Sequence, residues 1–152
     1  MITSKTGTYF ESKARRQGFL ENGQEAKINE LYAVRADSFT ECETRMSSYV
    51  SEIAQGEFNI LTEQIAKYSE IFFSDKDDED IFYRVNVAFI TLDERSGKEK
   101  KTRVSYLVQA NSVQTAKNNV DEVMSQSMVD YKITSVVETN IVDVIDAETQ
   151  EE

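Results

Sequence analysis

Tyr32-Ala33-Val34-Arg35-Ala36-Asp37-Ser38 and Tyr106-Leu107-Val108-Gln109-Ala110-Asn111-Ser112 lie 74 residues apart, and their non-identical pairs mostly keep size or polarity. Working outward at the same spacing, Tyr9 falls on Tyr83, Gly23 on Gly97 and Lys27 on Lys101. Self-similarity at a fixed period is the mark of an internal repeat. A lone unit of about 70 residues buries only about 60% of its unfolded surface. Two halves of a 152-residue chain are therefore expected to share a core.

The hydrophobic period changes in the same order in each half. Residues 8–20 and 24–36 are rich in strand formers on either side of Glu21-Asn22-Gly23, and Asn-Gly between two such runs predicts a hairpin. Ile81, Tyr83, Val85, Val87 and Phe89 alternate in the second half, Arg95-Ser96-Gly97-Lys98 turns the chain, and Val104, Tyr106, Val108 and Ala110 return. The period then shifts to that of a helix. Phe39, Cys42, Met46, Tyr49, Val50 and Ile53 form one stripe behind Ser38, with Glu41 placed to complete a capping box. Val113, Ala116, Val120, Val123 and Met124 repeat the stripe behind Ser112. The β-prone segments Phe58 to Phe73 and Tyr131 to Ile145 exceed a usual strand of about five or six residues, so a bend, a bulge or two consecutive strands is expected in each.

These readings predict an α+β protein of tandem duplicated ββαβ units, with antiparallel sheet, one helix per unit and pseudo-twofold symmetry. The expected divisions are a first repeat over 1–73, an acidic linker over 74–80, a second repeat over 81–145 and an acidic tail over 146–152. The linker carries five acids and one base and the tail four acids, so most of the net charge of −11 sits in these two runs. The body is nearly balanced. Asp75, Asp77 and Glu79 alternate like the first ligands of a calcium loop, but Asp80 stands where the glycine belongs and Asn86 where the bidentate glutamate belongs. The linker is read as a solvated connector, with no metal and no cofactor.

Composition argues against catalysis. The chain has no histidine, which removes the commonest general base and most zinc sites, and its one cysteine, Cys42, lies on the apolar helix stripe and reads as core. Its five glycines form no phosphate loop. The expectation is a non-enzyme. No run approaches the roughly 20 apolar residues of a membrane span, and Met1-Ile2-Thr3-Ser4-Lys5 lacks a signal-peptide apolar region, so a soluble cytoplasmic protein is expected.

Most of the seventeen basic residues sit on the two hairpins. Lys13, Arg15 and Arg16 lie between Tyr9-Phe10 and Phe19, with Lys27 on the return strand; Arg84, Arg95, Lys98, Lys100, Lys101 and Arg103 lie on the second hairpin near Tyr83. Phosphates take cations and unpaired bases take flat apolar faces, so this pattern predicts binding of single-stranded DNA or RNA. Lys13, Arg15, Arg16, Lys98, Lys100, Lys101 and Arg103 are the expected backbone contacts, and Tyr9, Phe10 and Tyr83 the expected stacking platforms. Tyr32 and Tyr106 read as packing positions. The acidic tail would cover the basic face or recruit a basic partner. The alternative reading is a protein-interaction module acting through a sheet edge or acidic surface, with homodimerisation through an edge, since lysines on strands also guard edges.

The run Tyr32-Ala33-Val34-Arg35-Ala36-Asp37-Ser38-Phe39-Thr40-Glu41-Cys42-Glu43, following an aromatic and basic strand and opening an amphipathic helix, resembles an uncharacterised small-protein family of Bacteroidetes and their phages, including crAss-like phages. The resemblance implies no catalytic residue. It implies a phage or mobile-element setting in a bacterial host cell, where the alternative roles are virion-structural or host-inhibitor.

Overall fold

The computed structural model describes residues 1–54 and 56–146. Among them the order of elements is β1 (Ile2–Thr6), β2 (Tyr9–Phe19), β3 (Glu25–Arg35), α1 (Phe39–Ile53), β4 (Phe58–Ile65), β5 (Glu70–Ser74), β6 (Ile81–Leu92), β7 (Glu99–Ala110), α2 (Val113–Met124), β8 (Asp130–Glu138) and β9 (Ile141–Ile145). This is an α+β protein with two helices and two mixed sheets.

Both hairpins turn on glycine. Gly23 and Gly97 have φ of +85° and +69°, a region where a Cβ would crowd the following carbonyl. Each turn is closed by a backbone bond, Leu20 N–H to the Gln24 carbonyl at 2.8 Å and Asp93 N–H to the Lys98 carbonyl at 2.9 Å. Asp93 also accepts from the Arg95 N–H at 3.0 Å, which lowers the Asp93 pKa and fixes the turn. The hairpins pair in register over their length, Tyr9 with Arg35 to Phe19 with Glu25, and Ile81 with Ala110 to Leu92 with Glu99.

Each helix is started by its serine. Ser38 Oγ accepts from the Glu41 N–H and Ser112 Oγ from the Thr115 N–H, both at 3.1 Å. The Glu41 carboxylate pairs with Arg45 at 2.8 Å, so the cap at Ser38 rests on its serine half. Ser112 in turn donates to Thr115 Oγ1 at 2.9 Å, a local tie in place of a glutamate.

The chain forms two compact units, and neither is one stretch of sequence. Unit 1 comprises Met1–Thr6 and Lys67–Thr139, and unit 2 comprises Gly7–Ala66 with the segment from Asn140 onward. Unit 1 holds a five-stranded sheet in the order β1-β5-β7-β6-β8, and unit 2 a four-stranded sheet in the order β4-β2-β3-β9. The long β-prone segments each split into two strands. In both units the strand after the helix pairs antiparallel with the first strand of the preceding hairpin, β4 with β2 and β8 with β6.

The expectation of antiparallel sheet is corrected by the remaining strands. β5 runs parallel to β7, and β9 runs parallel to β3. Period-two alternation identifies a strand and its buried face but carries no direction, and a strand edge accepts a neighbour in either sense.

Both cores lie between helix and sheet. In unit 1, Phe72 of β5 joins Tyr83, Val85 and Val87 of β6, Tyr106, Val108 and Ala110 of β7, and Ala116, Val120 and Met124 of α2. Phe72 stacks on Tyr106 with centroids 4.8 Å apart. In unit 2, Phe10 and Ala14 of β2, Tyr32 and Val34 of β3, Cys42, Met46 and Val50 of α1, and Ile145 of β9 pack together. Cys42 is in the core as its stripe implied, and burial pushes its thiol up to about 12.

The acidic run is not a uniformly solvated connector. Glu79 is only 3% exposed, and its carboxylate accepts from Asn119 Nδ2 at 2.7 Å, while the same amide donates to the Gln109 carbonyl at 2.9 Å. Asp78 accepts from Asn111 at 3.1 Å. These acids pin the entry to β6 against α2 and the end of β7. Spacing could not reveal this, because the partner amides belong to later elements. The expected acidic tail beyond Asp146 lies outside the described residues.

Candidate nucleic-acid interface

The outer end of the β6–β7 hairpin stands in solvent, every residue from Thr91 to Arg103 being exposed. Between Ile81 and Ala110 the hairpin carries six cations, Arg84, Arg95, Lys98, Lys100, Lys101 and Arg103, against three acids, Asp93, Glu94 and Glu99. It is thus net positive in a strongly acidic chain. Lys98, Lys100 and Lys101 help to line an open groove of about 680 Å³ at its tip, together with Thr91, Leu92, Asp93, Ser96 and Glu99.

Further along, on the sheet face away from α2, register builds a second positive feature. Ala88 pairs with Arg103 on one side and Lys132 on the other, so both cations share that face in one row across three strands. Their strands lie about 10 Å apart, two spacings of the sheet. Ile90 is flanked in the same way by Lys101 and Asp130, which brings one acid into the row. Lys101 and Arg103, two residues apart on one strand, are about 7 Å from each other. Beside this row lies a cleft of about 480 Å³ lined by Lys67, Arg84, Asn86, Arg103, Ser105 and Thr134.

The expected site residues divide into three groups. Lys98, Lys100, Lys101 and Arg103 come together, exposed, on the unit 1 hairpin. Lys13, Arg15 and Arg16 lie on β2 of unit 2, and of these Arg16 is engaged inside its own unit. Its Nε donates to Glu30 Oε1 at 2.6 Å, with both side chains less than one-fifth exposed. The same carboxylate oxygen accepts from Tyr32 OH at 3.1 Å. The hydrogen bond that Arg16 donates to Glu30 raises the Arg16 pKa, and burial with the nearby Glu30 charge raises that of Tyr32, so this triad is a fixed internal network. Arg15 Nε donates to Asn29 at 3.0 Å on the exposed surface, and Lys13 is exposed.

The third group is the aromatic set, and here the structure differs from the expectation. Tyr9, Phe10 and Tyr83 are 3%, 2% and 2% exposed. Phe10 and Tyr83 belong to the cores of their units, and burial raises the Tyr83 pKa. A ring packed on both faces offers nothing for a base to stack on. Aromatic residues interleaved with charge are here the mark of a half-buried strand. Tyr32 and Tyr106, read as packing positions, are buried as well.

Lys67, Lys132 and the cleft are the features sequence reasoning missed. Lys132 and Thr134 alternate with Tyr131 and Ile133, which marks them as one face of a strand. That this face continues the one bearing Arg103 follows only from the pairing of β8 with β6.

Residues 8–147 match the family described as Domain of unknown function (DUF4494), and the chain belongs to that family. It matches no curated protein and no solved structure. Among the described residues no helix is long and apolar enough to cross a membrane.

Proposed function

We propose that this protein is a non-catalytic binding module for single-stranded nucleic acid, which it holds by the phosphate backbone along the β6–β7 hairpin. The observation that carries the reading is the exposed set Lys98, Lys100, Lys101 and Arg103 on one net-positive hairpin of a chain whose overall charge is −11. A positive strip on an acidic protein concentrates attraction where it is useful and repels the strand elsewhere. Base stacking by Tyr9, Phe10 and Tyr83 drops out of the reading, leaving contact by charge with little sequence preference. The acidic residues at 146–152 compete for the strip in this reading.

The architecture behind the proposal is a tandem duplication. Its support is the shared order of hairpin, serine-capped helix, antiparallel strand and parallel strand in the two halves, with Ser38 and Ser112 at the 74-residue spacing. The cytoplasm of a bacterial host and a phage setting, implied by the resemblance of Tyr32 to Glu43, complete the reading. A second reading, a protein interface, is favoured by β4, which ends the unit 2 sheet and exposes Leu61 by 40% and Ile65 by 61%.

Fluorescence anisotropy of a labelled 20-nucleotide strand, titrated between about 50 and 300 mM salt, tests the proposal. About four phosphate contacts predict a slope of log affinity on log salt of roughly −3 for a single strand. Absence of binding at low salt, or binding indifferent to salt, overturns it and favours the protein interface.

A further inference from the structure

The cleft beside the cationic row discriminates between kinds of strand, an inference that rests on the nucleic-acid reading above. All six lining residues, Lys67, Arg84, Asn86, Arg103, Ser105 and Thr134, belong to unit 1. Its volume of about 480 Å³ falls within the roughly 300–1,000 Å³ of small-ligand sites. The hydroxyl hydrogens of Ser105 and Thr134 are directed inward to the protein, and Asn86 gives one of its two amide hydrogens to Ser135. Ser105 Oγ donates to Asn86 Oδ1 at 2.6 Å, Asn86 Nδ2 donates to Ser135 Oγ at 2.8 Å, and Thr134 Oγ1 donates to the Asn86 carbonyl at 3.1 Å.

A hydroxyl that has given its hydrogen keeps lone pairs, whereas lysine and arginine only donate. Lys67 and Arg103 therefore supply positive donors, and Ser105 and Thr134 supply neutral acceptors. The complement of that set is an anion joined to a hydroxyl donor. Within a nucleic-acid chain a phosphate beside a ribose has both groups, and a phosphate beside a deoxyribose has only the first. We infer that this cleft seats one phosphate and the adjoining ribose, its 2′-hydroxyl donating to Ser105 or Thr134, so that the protein binds RNA in preference to DNA.

The test compares labelled RNA, DNA and 2′-O-methyl RNA strands of one sequence on the full chain. RNA is expected to bind roughly tenfold more tightly than the other two, because each lacks the donor hydrogen. Ser105→Ala with Thr134→Val should bring RNA to the DNA level and leave DNA affinity unchanged, and Lys67→Ala with Arg103→Ala should weaken both. Thr134→Val alone keeps the side-chain shape and serves if the double variant melts early. Equal affinity for RNA and DNA, or a preference that survives both hydroxyl variants, overturns the inference while the nucleic-acid reading stands. A 2′-O-methyl strand that binds like RNA also overturns it. If no strand binds at all, it is the underlying reading that fails.

Discussion

Replacing Lys100, Lys101 and Arg103 together with alanine should abolish binding of single-stranded oligonucleotide and leave thermal stability nearly unchanged. The three side chains are exposed on the outer half of the hairpin and belong to neither core, so their removal takes no atom from either. Exposed substitutions of this kind stay within about ±0.5 kcal/mol each. Binding is different. Hydrogen bonds to charged groups contribute about 1.5–3 kcal/mol each, so the loss of three predicts a fall in affinity of at least roughly a hundredfold even with strong compensation. Anisotropy and a thermal melt on the same preparation read both quantities. Unchanged affinity in a folded variant removes this hairpin from the interface.

Phe72→Ala and Ile145→Ala should be among the most destabilising single changes in the chain. Phe72 comes from β5 and Ile145 from β9, the two strands that run parallel to their hairpins, and each is fully buried in the core of its unit. Phe72 also stacks on Tyr106. Truncating a buried Phe costs about 3–5 kcal/mol and a buried Ile about 2–5, because the lost transfer energy adds to the cavity left behind. Against a total stability of about 5–15 kcal/mol either change removes a large share. Denaturant unfolding measures it, with Leu92→Ala, 65% exposed on the hairpin tip, as the near-neutral control. A cost below about 1 kcal/mol for either core variant means that its strand is not docked as described.

What the amino-acid sequence disclosed follows the range of the forces involved. Gly23 and Gly97 announce their turns because positive φ is a local demand, and Ser38 and Ser112 announce helix starts because a cap acts within three residues. The stripes on α1 and α2 follow from a helical period that any core-facing helix must obey. β1 is not legible, its Ile2-Thr3-Ser4-Lys5-Thr6 having one half-buried residue followed by four exposed ones, a strand held by backbone pairing with β5 in which only Ile2 reaches the core. The docking of β5 on β7 and β9 on β3 was equally hidden, since it joins residues dozens of positions apart and leaves no trace in alternation.

The candidate site divides along the same line. Lys98 to Arg103 could be read as exposed because charge crowded at a hairpin tip has nowhere to be buried. Tyr9, Phe10 and Tyr83 read as surface rings in the sequence because a strand pattern tells which residues share a face but not which face meets a helix. Phe82 and Tyr83, adjacent and on opposite faces, are both 2% exposed. The engagement of Arg16 is hidden for a related reason, its partner Glu30 lying on the neighbouring strand of the hairpin. Lys67 and Lys132 meet Arg103 only through the finished sheet and the loop before β5.

Lysine footprinting tests the central claim most directly, with an acylating reagent applied to the full chain in the presence and absence of single-stranded oligonucleotide and the modified sites read by mass spectrometry. Lys98, Lys100 and Lys101 should be protected by the strand, with Lys67 and Lys132 following, while the exposed Lys76 and Lys117 react as before. Protection confined to Lys13 and Lys27, or spread evenly over all lysines, would contradict the account.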